Sequence, residues 1–416
     1  MQKTILHIDF DSYFASCEQQ LDPKLRGKPL GVTATNGRTC IIAASREAKR
    51  MGVKSVTRVW EAQQLCPEII TVPAHFEKYW EITQKFLDIC KDYSPFVELF
   101  SLDEVFMDIT ATQGLFKDKY NVIERIKERI KNEIGQYLTV SVGLSYNKLL
   151  AKLASGLNKP NGFVEITPKN LDEVYSNISL TDFCGIGSRI ALRLSKLGIH
   201  TVFELRKMPI HRLKAEFGNI ESTFLKNLAL GIDETKVISY TDAPGVKSVG
   251  RNYCLPQNQY DKRIVFQNVY ELSEEIAIKL RRLNKKAKTA FIYLGGSKSF
   301  AGSKTTNEYF DSGKDMFNIL MQILKENNFL LNSSDYIRRI SVGASTLEDF
   351  GNITLSLFEA ENKNHKLLET IDKINEKHGD HTIRNGFLLN ADKLKTVPNG
   401  WMADTYERTK LAESSI

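Results

Sequence analysis

Long apolar runs are missing from this sequence. Nowhere in its 416 residues does an uninterrupted hydrophobic stretch reach the roughly 18–20 residues that a membrane-spanning helix needs. At the start only Ile5-Leu6 stands before His7 and Asp9, too short for the hydrophobic region of a secretory signal. A cytoplasmic protein with no membrane partner is expected. Cysteine is scarce as well: Cys17, Cys40, Cys66, Cys90, Cys184 and Cys254 are widely spread, with no CxxC pair and no histidine-rich neighbour. That spacing argues against a zinc site or a disulfide framework and predicts reduced, buried thiols. No internal repeat and no low-complexity tract occurs. Charge of one sign is only mildly in excess, 57 Lys and Arg against 50 Asp and Glu, net +7. Such an excess permits a nucleic-acid partner and alone decides little. With 42% hydrophobic and 26% charged residues the chain is ordinary globular material. Its length sets a prior of roughly three domains.

What is present alternates strand and helix signals, as an α+β multidomain chain does. Residues 3–10 read as a buried strand ending at an acidic turn. A loop-rich region follows to about 74, with a helical stretch at 45–53. Glu77 to Cys90 has helical spacing, and 96–109 read as two short strands around an acidic turn. A mixed-charge amphipathic helix is expected over 119–135, a strand at 138–145, and a helix from Asn147 to Leu157 that stops at a KPNG breaker. Residues 166–235 change to short helices broken by glycine. The stretch 236–246 has no helical period and contains Pro244 and Gly245, which reads as a linker. From 247 to 343, strand-like segments alternate with two amphipathic helices. Between Pro244 and Ser341 stand 16 Lys and Arg against 9 Asp and Glu. Beyond Leu347 the chain is polar, with one amphipathic helix.

Five segments carry chemistry. Asp9 and Asp11 flank Phe10 at the end of the first strand; carboxylates at i and i+2 on a strand face the same way. An apolar strand followed by DxD also resembles a phosphatase nucleophile motif, but the later acidic pair such enzymes need is missing here. Ser101-Leu102-Asp103-Glu104 lies between two apolar strands. An ordinary hairpin turn looks the same, but adjacent acids joined by a third at Asp9 suggest a divalent metal cluster. Arg46, Lys49 and Arg50 share a helical stretch suited to a triphosphate or to plain solvation. Lys148, Lys152 and Lys159 stand near a glycine turn. Finally, 183–205 read as a turn with Gly185 and Gly187, a helix, a second glycine and another helix. That pattern resembles a helix-hairpin-helix, which holds DNA phosphate on backbone N–H groups.

The order and spacing of HIDFDSYFASCEQ, AASREAKRMGVKS, FSLDEVFMDIT, VGLSYNKLLAKLASGLNKPNG and FCGIG resemble the Y-family, lesion-bypass DNA polymerases, over about residues 4–343. KSVGRNYCLP is similar to the opening of that family's little-finger domain. The resemblance implies a right-hand polymerase with a split palm (1–11 and 75–165), small fingers (12–74) and a helix-hairpin-helix thumb (166–235). A linker (236–246), an α/β little finger (247–343) and a C-terminal tail (344–416) would follow. It implies that Asp9, Asp103 and Glu104, with the Phe10 carbonyl, hold two Mg²⁺ ions. Tyr13 and Phe14 would stack on the incoming sugar, with Phe14 excluding a 2′-hydroxyl. Arg46, Lys49 and Lys159 would meet the triphosphate of a dNTP. Arg46 stands where the polymerase IV branch usually has tyrosine, and Lys49 where it has arginine.

Primer–template DNA is the implied partner. Gly185, Gly187, Lys148 and Lys152 are expected on its backbone, and the little finger's charge is expected to bind it regardless of sequence. The 416 residues leave no room for a proofreading exonuclease domain, so low-fidelity translesion synthesis is the expected activity. Residues 354–358 resemble a sliding-clamp-binding peptide with Leu355, Leu357 and Phe358 as anchors, although threonine replaces its usual first glutamine. Binding DNA without turnover is the competing expectation.

Overall fold

The structure is a computed structural model. It describes residues 3–34, 40–242, 245–353, 359–379 and 382–389, with side chains from Lys366 onward in the last helix. The chain divides into two compact units at 243/244, inside the stretch expected to be a linker.

In chain order the first unit contains β1 (Ile5–Phe10), α1 (Tyr13–Leu21), β2 (Leu30–Thr33), β3 (Ile41–Ala44), α2 (Arg46–Arg50), α3 (Val59–Leu65), β4 (Ile70–Pro73) and α4 (Phe76–Lys91). Then come β5 (Val97–Leu99), β6 (Glu104–Asp108), α5 (Lys119–Arg129), β7 (Val140–Ser145), α6 (Lys148–Leu157) and β8 (Phe163–Glu165). The helices α7 (Leu171–Ser176), α8 (Ser188–Lys196), α9 (Val202–Lys207) and α10 (Ile210–Leu230) complete the unit. Five strands form one sheet in the order β5-β6-β1-β7-β8. β1 is central because its residues are apolar toward both faces. Leu6, Ile8 and Phe10 enter the large core with Phe86 and Met107, while Ile5 meets Phe106 and Ala151. Each such side chain taken from water stabilises the fold by about 1.5–3 kcal/mol. α6 lies close against the second face because β7 carries Gly143 there. A Cβ at that position would sit 2.0 Å from the Ala151 carbonyl oxygen.

The loop-rich reading of 12–74 missed a three-stranded sheet, β3-β2-β4, whose strands are only four residues each. The helix expected over 119–135 ends its α-helical part at Arg129 and widens into a π-turn over Ile130–Ile134. Part of the linker is fixed to this unit. The Ile238 N–H donates to Glu98 Oε2 at 2.8 Å, and Lys91 Nζ sits 4.3 Å from the Tyr240 ring centre.

The second unit is an antiparallel sheet, ordered β11-β10-β12-β9, with helices packed on it. Its elements are β9 (Ser248–Gln259), α11 (Lys262–Arg282), β10 (Lys285–Gly296), β11 (Ser299–Phe310), α12 (Gly313–Glu326), β12 (Ile337–Asp349) and α13 (Glu359–His378). The expected boundary at 343 is corrected here. β12 runs to Asp349, and α13 belongs to the same unit. Arg281, nearly buried, forms a two-pronged pair with Asp372 at 2.6 and 2.8 Å. Among the described residues no helix is long and apolar enough to cross a membrane. All six cysteines are free, but only Cys17, Cys66 and Cys90 are buried as expected; Cys40 is half-buried, and Cys184 and Cys254 are exposed.

Candidate active site

Strand alternation places His7 and Asp9 on one face of β1, opposite the core residues Leu6, Ile8 and Phe10. Antiparallel register then sets Asp9 directly across from Glu104, the first residue of β6. The turn before β6 is pinned in two ways. The Phe10 N–H donates to the Asp103 carbonyl at 2.9 Å, and Ser101 Oγ donates to Asp103 Oδ1 at 2.6 Å. Asp9 and the adjacent pair Asp103–Glu104, nearly a hundred residues further along the chain, are thus gathered at the end of the central strand.

Their electrostatics differ. Burial pushes the Asp9 carboxyl up against the pull of Lys159, and the Asp103 charge adds to the rise. Burial likewise raises Asp103, with neighbouring Glu104 reinforcing it. Burial would raise Glu104 too, but the His7 hydrogen bond and the Lys152 ammonium outweigh it and hold this carboxyl at about 2. His7 is fully buried, and burial lowers its own pKa. Its ring lies between two partners, Nε2 3.0 Å from Glu104 Oε2 and Nδ1 2.7 Å from Ser155 Oγ. Two half-buried carboxylates stay above their ordinary range even though Lys159 lies beside them, and a hard divalent ion would supply further positive charge. Ligand atoms of His7, Asp9 and Glu104 already lie within 4.8 Å of one another. The donor set therefore fits a divalent metal.

Cations surround this cluster. Lys159 pairs with Asp9 and Lys152 with Glu104. Lys49 Nζ donates to Ser12 Oγ at 2.8 Å; burial and the nearby Lys159 charge lower its pKa. Arg46 donates to Thr139 Oγ1, while its buried Nε has no partner among the described residues. α2 presents Arg46 and Lys49 because Ser45 caps it, accepting from the Ala48 N–H.

Four residues near the site make contacts that the local sequence does not announce. Asp11 is a structural brace. It is buried and accepts from Thr139 Oγ1 (2.6 Å), Ser141 Oγ (2.8 Å) and the Asn161 N–H (2.7 Å). Tyr13 is not on an open face. It is buried against Phe10, and its hydroxyl donates to the Tyr79 carbonyl at 2.6 Å. Lys148 is paired: both Glu98 oxygens take its ammonium, at 2.7 and 2.8 Å, over the Phe106 ring. Lys152, one turn on, belongs to the acid cluster. Phe14 remains half-buried beside Tyr13. Gly185 has φ +102°, and Gly187 caps α8, as a helix-hairpin-helix turn requires. Leu355, Leu357 and Phe358 lie outside the described residues. His7 was missed, although its place two residues before Asp9 on a strand was a readable signal.

The site thus joins acids at the end of a central antiparallel strand to cations carried by α2, which follows β3 of a separate small sheet. Family models match the chain segment by segment. Residues 8–156 match the impB/mucB/samB family, 181–233 a DNA polymerase-iota thumb domain, and 246–357 the impB/mucB/samB C-terminal domain. DNA polymerase IV of Bacillus velezensis is 30% identical over 416 residues, covering 98% of each chain. That of Pelotomaculum thermopropionicum is 31% identical over 387 residues, 92% of this chain and 94% of its own. Among solved structures, a Y-family polymerase chimera of Dbh and Dpo4 superposes with a TM-score of 0.72 at 24% identity, covering 83% of this chain and 99% of its own. An insertion ternary complex of Dbh DNA polymerase gives 0.57 at 24%, with the same coverage. The chain belongs to the Y family of lesion-bypass, DNA-directed DNA polymerases.

Proposed function

We propose that this polymerase extends a primer 3′-hydroxyl by two-metal nucleotidyl transfer, with Mg²⁺ as the ion and without proofreading. The observation that carries this reading is the Asp9–Glu104 register pair, joined by Asp103 and ringed by Arg46, Lys49 and Lys159. Bound ions would supply Lewis acidity to the attacking hydroxyl and to the departing phosphate oxygens. Asp9, Asp103 and Glu104, with the Phe10 carbonyl, would hold them. Lys159 and Lys152 now satisfy those acids, and arrival of metal and triphosphate would free Lys159 for phosphate. Arg46, whose Nε lacks a partner, and Lys49 would take the rest of the triphosphate. Phe14 would form the wall against C2′ of the dNTP sugar.

Gly185 and Gly187 would hold the DNA backbone, as would the second unit's cations. Docking on a sliding clamp through Leu355, Leu357 and Phe358, and a cytoplasmic location, rest on the sequence alone. The test is primer extension on undamaged and lesion-bearing templates, with Mg²⁺ supplied or chelated. The reading requires Mg²⁺-dependent extension with no shortening of a mispaired primer. Shortening at a rate comparable to extension would refute the absence of proofreading.

A further inference from the structure

Phe14 is held from behind by a cluster for which the transfer chemistry has no use. Its ring lies nearly parallel to that of Tyr79, 4.7 Å between centres and 17° between planes, and Phe76 meets it edge-on at 5.9 Å. Phe14 and Glu18 stand four apart on α1, and Phe76 and Tyr79 three apart on α4, so each pair shares one helix face. The two faces interlock. Tyr79 is wholly buried, and its hydroxyl donates to Glu18 Oε1. His75 Nδ1 reaches the same carboxylate at 2.9 Å. The Tyr79 carbonyl accepts from the Tyr13 hydroxyl at 2.6 Å. Ring, hydroxyl and carbonyl of Tyr79 are thus each fixed by a different residue.

A buried carboxylate is costly unless its hydrogen bonds are met, and Glu18 is 4% exposed. A leucine in its place would pack without that cost, and without holding the tyrosine. A wall that rejects a sugar for one extra oxygen must not give way by the width of that atom, and a half-buried ring resists rotation only if its other side is filled. We infer that Tyr79, oriented by Glu18, is a positioning residue for sugar selection. It acts through Phe14 and makes no contact with the nucleotide. The inference rests on the reading of Phe14 as that wall.

The test is the ratio of kcat/KM for each deoxynucleotide over its ribonucleotide in primer extension. Wild type is compared with Phe14→Ala, Tyr79→Leu, Tyr79→Phe and the Phe14→Ala/Tyr79→Leu double variant. Partial misfolding lowers both kcat/KM values together and cancels in the ratio. Phe14→Ala should collapse the ratio, and Tyr79→Leu should lower it at least about tenfold. Tyr79→Phe keeps the stacked ring but loses the hydroxyl held by Glu18, and its ratio should fall between those of wild type and Tyr79→Leu. The double variant should fall no further than Phe14→Ala. If Tyr79→Leu does not fold, Tyr79→Met fills the space without a flat ring and carries the same expectation. A normal ratio in Tyr79→Leu or Tyr79→Met beside a collapsed one in Phe14→Ala overturns the inference and leaves the wall standing. An additive double variant also overturns it. An unchanged ratio in Phe14→Ala removes the wall itself, and the inference with it.

Discussion

The two large sheets of this chain use antiparallel pairing in different ways. In the first unit the strands run three to six residues, and β1 is buried almost throughout. Its few polar positions collect carboxylates on one face, where low exposure magnifies every charge. In the second unit the strands run 12 to 13 residues, and β11 alternates exposed with half-buried positions over most of its length. Its charges are spread out and extensively paired: Arg251 with Glu275, Lys285 with Asp349, Lys286 with Asp311, Lys298 with Asp335 and Lys304 with Glu326. Concentrated buried charge suits bond making, whereas dispersed surface charge suits a grip that tolerates any sequence. Counting residues overstated the second unit's free positive charge, because Asp349, Asp372 and Glu376, which pair with its cations, come after the counted segment.

The contrast breaks most readily at the acids. Asp103→Ala should abolish extension while leaving primer–template affinity intact, and more than about a tenth of wild-type activity, roughly 1.4 kcal/mol of barrier, would remove it from the chemistry. A smaller loss is expected from Lys152→Met, which takes the ammonium from Glu104, whereas Lys148→Met should leave extension near wild type because its partner is Glu98. Equal losses at the two positions, read as single-turnover rates, would return both lysines to one role.

Deleting 244–416 should weaken DNA binding and flatten the dependence of log affinity on log salt. An unchanged slope would mean that the second unit's cations contribute no phosphate contacts. The smallest effect concerns stability. Folding depresses the Glu104 pKa to about 2 from 4.5. Its stabilising contribution is therefore complete above pH 4.5 and is lost as pH falls toward 2. Asp103 is raised by folding, so its charge opposes the metal-free fold at neutral pH. In thermal melts without metal at pH 7, Asp103→Asn should unfold later than wild type and Glu104→Gln earlier. The reverse order would contradict the charge assignment.

Much of the first unit was legible because its chemistry lies in short, ordered segments. Asp9, Asp103, Glu104 and Phe14 could be picked out from local pattern and family resemblance. Lys148 and Lys152 could not be told apart, since they are one turn apart on α6 and their partners, Glu98 and Glu104, lie about fifty residues away. Tyr13 and Phe14 are adjacent aromatics, and only the packing of α4 decides which is buried. β9 and β11 escaped notice because their polar alternation resembles loop sequence, and β2, β3 and β4 because four-residue strands give a period too little room. The docking of α13 depends on Arg281 meeting Asp372, a pair 91 residues apart that no local pattern announces.

The central claim is that Asp9, Asp103 and Glu104 hold two catalytic ions, and metal stoichiometry tests it most directly. Mn²⁺ bound to the ternary complex with a 3′-deoxy primer–template and a dNTP can be counted by electron paramagnetic resonance. Two ions per wild-type chain are expected, and fewer in Asp9→Ala and in Glu104→Ala, with DNA still bound. Full occupancy in both variants would contradict the account.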